Sequence, residues 1–276
     1  KPSWYRWFRG MVAEDQYVTK APKKMTPILE IKGLTKQFGG IVVANNISFK
    51  LEKGTVLGLI GPNGAGKTSL FNLISGVNRQ DSGSVYISGN IVDTLPIYQR
   101  ARLGLARTWQ DIRLFPSLNL IDNLIISTRS YTSENYKEIF RSSTLKLSED
   151  NKVKEHALSL IHRVGLGKMA YFLPPELSYG QQKLLGLARA LMNDGDCMLL
   201  DEPMAGVEGR TYEQIKMIIK EELDNNKAIL VVEHNIGFIK EICTHAFFMV
   251  NGEIISEGSV EDLTSNKKLT EIYFGG

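Results

Sequence analysis

Apolar residues along the chain form short continuous runs that alternate with stretches of helical spacing. The run Thr55–Ile60 contains no charged residue, which is typical of a strand buried on both faces of a sheet. Apolar positions from Val153 to Val164 instead recur every three or four residues, as on one face of a helix. Strands separated by helical crossovers favour a largely parallel sheet, so the pattern predicts an α/β domain. The predicted strands are Ile28–Ile31, Ile41–Leu51, Thr55–Ile60, Gly83–Ser88, Leu105–Trp109, Cys197–Leu200, Ala228–Glu233 and Ala246–Val250, and the predicted helices are Lys67–Ser75, Gly180–Met192, Arg210–Leu223 and Ile236–Cys243.

A long helical stretch interrupts this alternation of strands and helices. Between about Pro116 and Leu173 the apolar spacing is helical. The pattern therefore predicts a helical lobe, at about residues 112–178, inserted into an α/β domain that spans residues 28–276.

Composition excludes several classes of protein. The chain has 276 residues, of which 43% are hydrophobic and 23% are charged, as is ordinary for a globular protein. No apolar run reaches the roughly 18 residues that a membrane-spanning helix needs. Two cysteines, Cys197 and Cys243, do not make a disulfide framework, so we expect both to be buried apolar residues in a reducing cytosol.

The net charge of +3 comes from the first 24 residues, which hold six basic and two acidic side chains. The rest of the chain is close to neutral and offers no basic face for nucleic acid. Residues 1–27 form a predicted arm and linker, with four aromatic residues among the first ten. Three interpretations of this arm stay open: it packs on the domain, it lies at a membrane interface after an upstream transmembrane helix, or it is left over from expression. Because the chain starts without Met, we expect it to be processed or cut from a longer polypeptide.

The segment Gly61–Thr68 has glycines and a lysine at the spacing of a phosphate-binding loop. It follows an apolar strand and opens a predicted helix, which is the context that this motif requires. The glycines allow successive backbone N–H groups to turn toward phosphates, and the helix N-terminus adds a partial positive charge. We expect Lys67 to reach the β- and γ-phosphates of a nucleotide and Thr68 to offer its hydroxyl to Mg²⁺.

Two carboxylates, Asp201 and Glu202, follow the predicted strand Cys197–Leu200. The carboxyl ends of parallel strands meet at one edge of a sheet, so we expect these side chains near the phosphate-binding loop. Asp201 is expected to support the Mg²⁺ shell, and Glu202 to polarise the attacking water as a general base.

Five motifs, in this order, resemble those of the nucleotide-binding subunit of an ABC transporter: the phosphate-binding loop, Gln110, the signature segment Leu177–Gln182, Asp201–Glu202 and His234. The resemblance covers residues 28–276 and implies a P-loop NTPase core with a mostly parallel sheet, a small antiparallel β subdomain and an inserted helical lobe. It implies that Glu202, His234, Gln110 and Lys67 are catalytic and that Thr68, Gln110 and Asp201 lie at the metal. It further implies that ATP contacts Phe38 through adenine, Gly61, Pro62, Asn63, Gly64, Ala65, Gly66, Lys67, Thr68 and Ser69 around the phosphates, and Ser178, Gly180 and Gln181 of a partner cassette.

The signature segment also has physical properties that suit a phosphate. Ser178 is a favourable N-cap residue ahead of the predicted helix Gly180–Met192, and Gly180 permits close approach. A capped helix N-terminus with a glycine attracts an anion. Two positions depart from the family pattern: Tyr179 stands where a small residue is frequent, and Glu208 stands where Asp is common at the dimer seam. The longer Glu208 side chain leaves the hydrogen bonding of that loop open.

A narrower resemblance points to importers of branched-chain amino acids. It rests on Ala106–Pro116, on Ala205–Val207 and on the ending Glu271–Gly276. Similar endings occur in urea importers and in the ATPase of lipopolysaccharide export, and both alternatives stay open.

The resemblance implies ATP and Mg²⁺ at the site, and a head-to-tail dimer with a second copy or a homologous cassette. It also implies transmembrane permease subunits docked near Gln110–Phe115, indirectly a solute-binding protein, and a peripheral place on the cytoplasmic face of the membrane. The alternative from another class is a soluble ABC-type ATPase that acts on nucleic acid or ribosomes. Such proteins usually carry two cassettes or a long coiled-coil insertion, whereas this chain has one cassette and no sustained heptads. No nucleic-acid partner is expected.

Overall fold

The computed structural model describes residues 26–129 and 143–274. The predictions for the arm at residues 1–25, and for the part of the helical lobe at residues 130–142, lie outside the described residues. The strands are β1 Leu29–Phe38, β2 Ile41–Leu51, β3 Val56–Ile60, β4 Ser82–Ile87, β5 Asn90–Ile91, β6 Leu105–Arg107, β7 Cys197–Asp201, β8 Ala228–Val232, β9 His245–Val250 and β10 Glu253–Ser259. The helices are α1 Lys67–Ser75, α2 Ile97–Arg102, α3 Leu120–Ile125, α4 Ser143–Arg163, α5 Tyr179–Leu191, α6 Gly209–Asp224, α7 Ile236–Ile242, α8 Val260–Ser265 and α9 Lys267–Phe274, with 3₁₀-helices at Gly167–Met169 and Pro174–Glu176.

The main sheet has the strand order β10-β9-β3-β8-β7-β6 within the described residues. All neighbouring strands pair in parallel except β9 and β10, which form an antiparallel edge. Every residue of β3, β7 and β8 is buried, as the continuous apolar runs predict for central strands. The predicted α/β fold with a largely parallel sheet is confirmed.

The core lies on both faces of this sheet because successive strand residues point to opposite sides. Val56 and Ile60 of β3 pack into a core that they share with helices α3 to α7. Leu57 and Leu59 pack into a second core, shared with α1 and the smaller sheet. That smaller sheet is antiparallel, in the order β2-β1-β4-β5, as the family resemblance implies.

Strand β1 is longer than predicted, since it continues beyond Ile31 to Phe38. The register with β2 shifts between Ile31 and Leu34, around Gly33 at a φ of 56°. An irregularity of this kind breaks the alternation of apolar residues, so the pattern hides the second half of the strand. The strand ends at the turn Gly39–Gly40, where both residues have positive φ.

The C-terminal part contains a strand and two helices that the apolar pattern did not predict. Asn251 and Gly252, with φ of 48° and 81°, make the tight turn that joins β9 to β10. Strand β10 leads into α8, whose N-cap Ser259 accepts a hydrogen bond from the Asp262 N–H. Helix α9 then packs against the sheet, with the Tyr273 ring edge-on to Phe248 of β9.

The carboxyl ends of β3, β7 and β8 lie side by side and position the candidate site. Val232 at the end of β8 pairs with Leu59 of β3 on one side and with Asp201 of β7 on the other. The loops that follow these strands therefore leave the same edge of the sheet. In the part of the chain that the structure describes, no helix has the length and apolar character to cross a membrane.

Candidate functional site

The phosphate-binding loop between β3 and α1 is under tight steric constraint. Gly61 and Gly66 have φ of 151° and 103°, in a region that favours glycine. A Cβ on Gly61 would lie 2.1 Å from the Met249 carbonyl oxygen, and one on Gly66 would lie 2.4 Å from the Val43 carbonyl oxygen. Both positions therefore require glycine, and the loop is held against β9 and β2.

Lys67 begins α1, and its ammonium group folds back over the loop. Nζ donates hydrogen bonds to the carbonyl oxygens of Gly61 at 2.7 Å and Pro62 at 2.9 Å. Burial lowers the pKa of Lys67, while the nearby carboxylates of Glu202 and Asp201 act in the opposite direction. A cation and the N-terminus of a nine-residue helix thus converge on this loop, which suits it to bind phosphate.

Glu202 lies directly after β7, and its carboxylate is held from two sides. Nε2 of Gln110 donates to Oε2 at 3.0 Å, and Nε2 of His234 lies 3.2 Å from Oε1. The backbone of Glu202 has a φ of 46°, which is uncommon for a residue other than glycine. Its N–H donates to the Val232 carbonyl at 2.9 Å and so ties this turn to the end of β8. A carboxylate with such a fixed aim can accept a proton from water as a general base.

One cleft contains the phosphate-binding loop together with three polar residues that follow β6, β7 and β8. Gln110, Glu202 and His234 share this cleft with Lys67 and Thr68. The arrangement can bind phosphates on one wall and activate water on the other. The lining residues are Val43, Asn63, Gly64, Ala65, Gly66, Lys67, Thr68, Ser69, Gln110, Glu202 and His234.

Other residues predicted for the site lie outside this lining. Phe38 ends β1 and is 44% exposed, with the Lys36 ammonium 5.0 Å from its ring centroid. Ser178 is the N-cap of α5: its Oγ accepts from the Gln181 N–H at 3.3 Å, and Gln181 Oε1 accepts from the Ser178 N–H at 2.9 Å. Gly180 packs against α6, where its Cβ would lie 3.3 Å from the Thr211 side chain. None of these signature residues is among those that line the cleft of the same chain.

Arg107 is a residue of the site that the motifs did not predict. Nη2 donates to Oδ2 of Asp201 at 3.0 Å, and both side chains are buried. Nη1 donates to Asn72 and Ser75 of α1 at 2.9 and 2.7 Å. Burial raises the pKa of Asp201, and the Arg107 guanidinium acts against that rise. A carboxylate after an apolar strand needs a partner, and that need is the one sequence signal for Arg107.

The other carboxylate oxygen of Asp201 fits the predicted magnesium site. Oδ1 is buried and has no hydrogen-bond partner among the described residues. The next residue, Glu202, lines the cleft together with Thr68 and Gln110, whereas Asp201 lies directly behind this lining and is not part of it. Oxygen donors of this kind are what Mg²⁺ prefers, so these residues suit a hard cation beside the phosphate-binding loop.

Glu233 is a second residue that sequence reasoning missed. It is 2% exposed, and burial raises the pKa of its carboxyl group, against the effect of three backbone N–H donors. These donors belong to Met204 at 2.7 Å, His234 at 3.0 Å and Asn235 at 3.2 Å. Glu233 therefore fastens the loop after β7 to the loop that carries His234.

Tyr273 of α9 supports His234 from the C-terminal end of the chain. Its hydroxyl donates to the His234 carbonyl oxygen at 2.8 Å. The ending that contains Tyr273 stood out in the sequence only as a family resemblance. No local pattern predicts this contact, because 39 positions separate the two residues.

Comparison with known proteins gives the same family throughout. Residues 44–205 match the family described as ABC transporter. The chain is 32% identical to the high-affinity branched-chain amino acid transport ATP-binding protein BraF of Pseudomonas aeruginosa, over 90% of this chain and 98% of that protein. It is 33% identical to the probable branched-chain amino acid transport ATP-binding protein LivG of Archaeoglobus fulgidus, over 90% of this chain and 95% of that protein.

Two further similarities concern sugar import and the fold. The chain is 32% identical, over 87% of its length, to the ribose import ATP-binding protein RbsA of Caldanaerobacter subterraneus, and the match covers 46% of that protein. The crystal structure of the ADP conformation of an ATP-binding cassette of an ABC transporter superposes with a TM-score of 0.77 at 28% identity, covering 91% of this chain and all of that one. The family match, the sequence identities and the shared fold together show that the chain belongs to the ABC transporter family and is an ABC-type ATPase.

Proposed function

We propose that two cassettes close head to tail around two molecules of MgATP and thereby drive a membrane permease. One observation carries this proposal. The cleft joins the phosphate-binding loop to Gln110, Glu202 and His234, whereas Ser178 lies outside its lining at the exposed start of α5. The signature residues therefore have no nucleotide to contact within their own chain, and a second cassette supplies one.

Within one cassette, the groups around Glu202 support hydrolysis of the terminal phosphate. Lys67 and the N–H groups of the loop bind the β- and γ-phosphates. His234 and Gln110 fix the carboxylate of Glu202, which takes a proton from the attacking water. Thr68 and Asp201 would hold Mg²⁺, which would offset the negative charge on the phosphates.

Across the dimer, the start of α5 meets the nucleotide of the partner. The helix has 13 residues and a complete capping box, so its first N–H groups are ordered and carry partial positive charge. Ser178 and Gly180 are proposed to contact the γ-phosphate there. Glu208 is the N-cap of α6 without a side-chain capping bond, which keeps its carboxylate available to the dimer seam.

The surface at residues 110–115 is the proposed docking site of the permease. The Trp109 ring lies between the guanidinium groups of Arg107 and Arg113, which are 4.1 and 4.3 Å from its centroid. These three side chains lie next to Gln110 in the sequence, with Trp109 directly before it. Movement of a docked permease therefore reaches the catalytic carboxylate through the hydrogen bond from the Gln110 amide.

The proposed solutes are branched-chain or other amino acids. Support comes from the two relatives of nearly full coverage, both named for branched-chain amino acid transport. The ribose relative is similar over less than half of its own length. It supports the importer class more than the sugar.

Transport into vesicles tests this function directly. Proteoliposomes would contain the cassette and its permease, with the solute-binding protein outside, and labelled solutes would be followed. We expect ATP-dependent uptake of leucine, isoleucine or valine, and none with Glu202→Gln. Uptake of ribose or urea without uptake of these amino acids would show that the transported solute belongs to another class. A cassette that co-purifies with no permease would overturn the transport role.

A further inference from the structure

Lys183 of α5 is a buried cation whose partner is the backbone of Glu202. Its Nζ donates to the Glu202 carbonyl oxygen at 3.0 Å. The residue is 7% exposed, and burial lowers the pKa of Lys183, while Glu233, Glu202, Asp201 and Asp111 favour its charged form. A buried ammonium group is costly unless it is paired, so this hydrogen bond restrains both of its partners.

The position that Lys183 holds is the strained one. Glu202 has a φ of 46°, a conformation that persists only when its surroundings fix it. The N–H of Glu202 donates to Val232, and its carbonyl accepts from Lys183. The peptide groups on both sides of the Glu202 side chain are thus fixed. A shift of Lys183 changes where the carboxylate points.

Tyr179 lies one turn before Lys183 on the same face of α5, and it contacts the same loop. A Cβ on Gly206 would lie 2.9 Å from Cε1 of Tyr179, so the ring packs on the backbone four residues after Glu202. The Lys183 ammonium is 5.8 Å from the centroid of that ring. Two side chains of α5, Tyr179 and Lys183, therefore contact the segment from Glu202 to Gly206. Both follow the signature residue Ser178 closely in the sequence.

We propose that Lys183, together with Tyr179, is a positioning residue that makes hydrolysis at Glu202 depend on what the signature segment of the same chain contacts. This inference rests on the proposed head-to-tail dimer. The nucleotide of the partner seats against Ser178 and Gly180 and moves α5 as a unit. Lys183 carries that movement to the Glu202 backbone. Each site then hydrolyses ATP efficiently only when the other site is filled, which appears as positive cooperativity in ATP.

The test compares Lys183→Met, which keeps the length but removes the donor, with Lys183→Arg, which keeps a donor, and with Lys220→Met as an exposed control. ATP affinity, kcat and the Hill coefficient are measured on the assembled transporter. For Lys183→Met we expect unchanged ATP affinity, roughly tenfold lower kcat and a Hill coefficient that falls to about 1. Lys183→Arg should recover most of both values, and Lys220→Met should match the wild type.

A second variant keeps the test valid if Lys183→Met does not fold. Tyr179 is half exposed, so Tyr179→Ala removes the ring contact with Gly206 without leaving a cavity in the core. We expect a lower Hill coefficient with unchanged ATP affinity. A wild-type Hill coefficient in Tyr179→Ala, or in folded Lys183→Met whatever its kcat, would overturn the inference. A wild type that forms no ATP-dependent dimer would instead refute the function on which the inference rests.

Discussion

Nε2 of His234 lies 3.2 Å from Oε1 of Glu202, although the two residues follow different strands of the sheet. Gln110 donates to the other carboxylate oxygen, so the proposed catalytic base has a partner on each side. We expect His234→Ala to lower kcat by about 100-fold, because the Glu202 carboxylate is then no longer held in position to accept a proton from water. ATP affinity should stay within about twofold, since Lys67 and the loop remain. Steady-state hydrolysis and equilibrium ATP binding measure both. A large loss of affinity with normal kcat would show that His234 binds nucleotide and does not position the base.

The buried pair of Arg107 and Asp201 predicts a stability that depends on pH. Arg107→Ala leaves the Asp201 carboxylate buried without its cation, which we expect to cost about 3–5 kcal/mol in the free energy of unfolding at neutral pH. Its folded-state pKa then rises further above the unfolded value near 3.8. A raised carboxyl pKa means stability that is present below the unfolded pKa and is lost as pH rises toward the folded pKa.

Urea denaturation checks this prediction at about pH 5 and about pH 8. The stability difference between wild type and Arg107→Ala should be larger at the higher pH. The double variant Arg107→Met with Asp201→Asn serves as the control, because it removes both charges. The pair should then contribute nothing to the pH dependence of the free energy of unfolding. Equal differences at the two pH values would mean that Arg107 acts through packing and not through the charge of Asp201.

The hydroxyl of Tyr273 predicts a small and specific effect on turnover. Tyr273→Phe removes the hydrogen bond to the His234 carbonyl but keeps the ring contact with Phe248. We expect a loss of about 1 kcal/mol in stability and a kcat that is roughly threefold to tenfold lower. Tyr86→Phe, at a distant position on β4, is the matched control. Unchanged turnover in Tyr273→Phe would leave α9 without a role at the His234 loop.

The two cysteines predict inert thiols in the native protein. Burial raises the pKa of both Cys197 and Cys243 to about 12, from an ordinary thiol value of 9.0. The thiolate is therefore scarce in the fold, and stability contributed by the neutral thiols is lost only as pH rises above about 9. A thiol reagent at pH 8 should label neither residue in the native protein and both in denaturant. Rapid labelling of the native protein would contradict the burial of the labelled site.

The parts of the fold that rest on local pattern were predictable from the sequence. The runs that form β3 and β8 are apolar throughout, and β7 is apolar up to its last residue, Asp201. Helix α1 has the bounds that the sequence predicts. The bulge at Gly33 and the hairpin at Asn251–Gly252 lie where alternation breaks, so β10 and half of β1 were missed.

The residues of the candidate site likewise divide into those that the sequence predicts and those that it does not. The resemblance named the residues around the phosphates, and the structure brings Lys67, Gln110, Glu202 and His234 into one cleft. The sequence pattern does not predict the roles of Arg107 and Glu233. The partner of Arg107 is distant in sequence, and the partners of Glu233 are backbone N–H groups, which residue types do not reveal. A strand pattern shows that a carboxylate will be buried, but it does not show which cation or N–H group will meet it.

The mass of Glu202→Gln in solution tests the shared site most directly. This variant keeps the phosphate-binding loop and the signature segment but lacks the base, so bound ATP should persist. Light scattering would be recorded with MgATP and with MgADP, on the variant alone and with a homologous cassette of the same transporter. We expect a dimer with MgATP, a monomer with MgADP, and a monomer in both when Lys67→Ala is added. A Glu202→Gln cassette that binds ATP yet stays monomeric in every mixture would contradict a site shared between two chains.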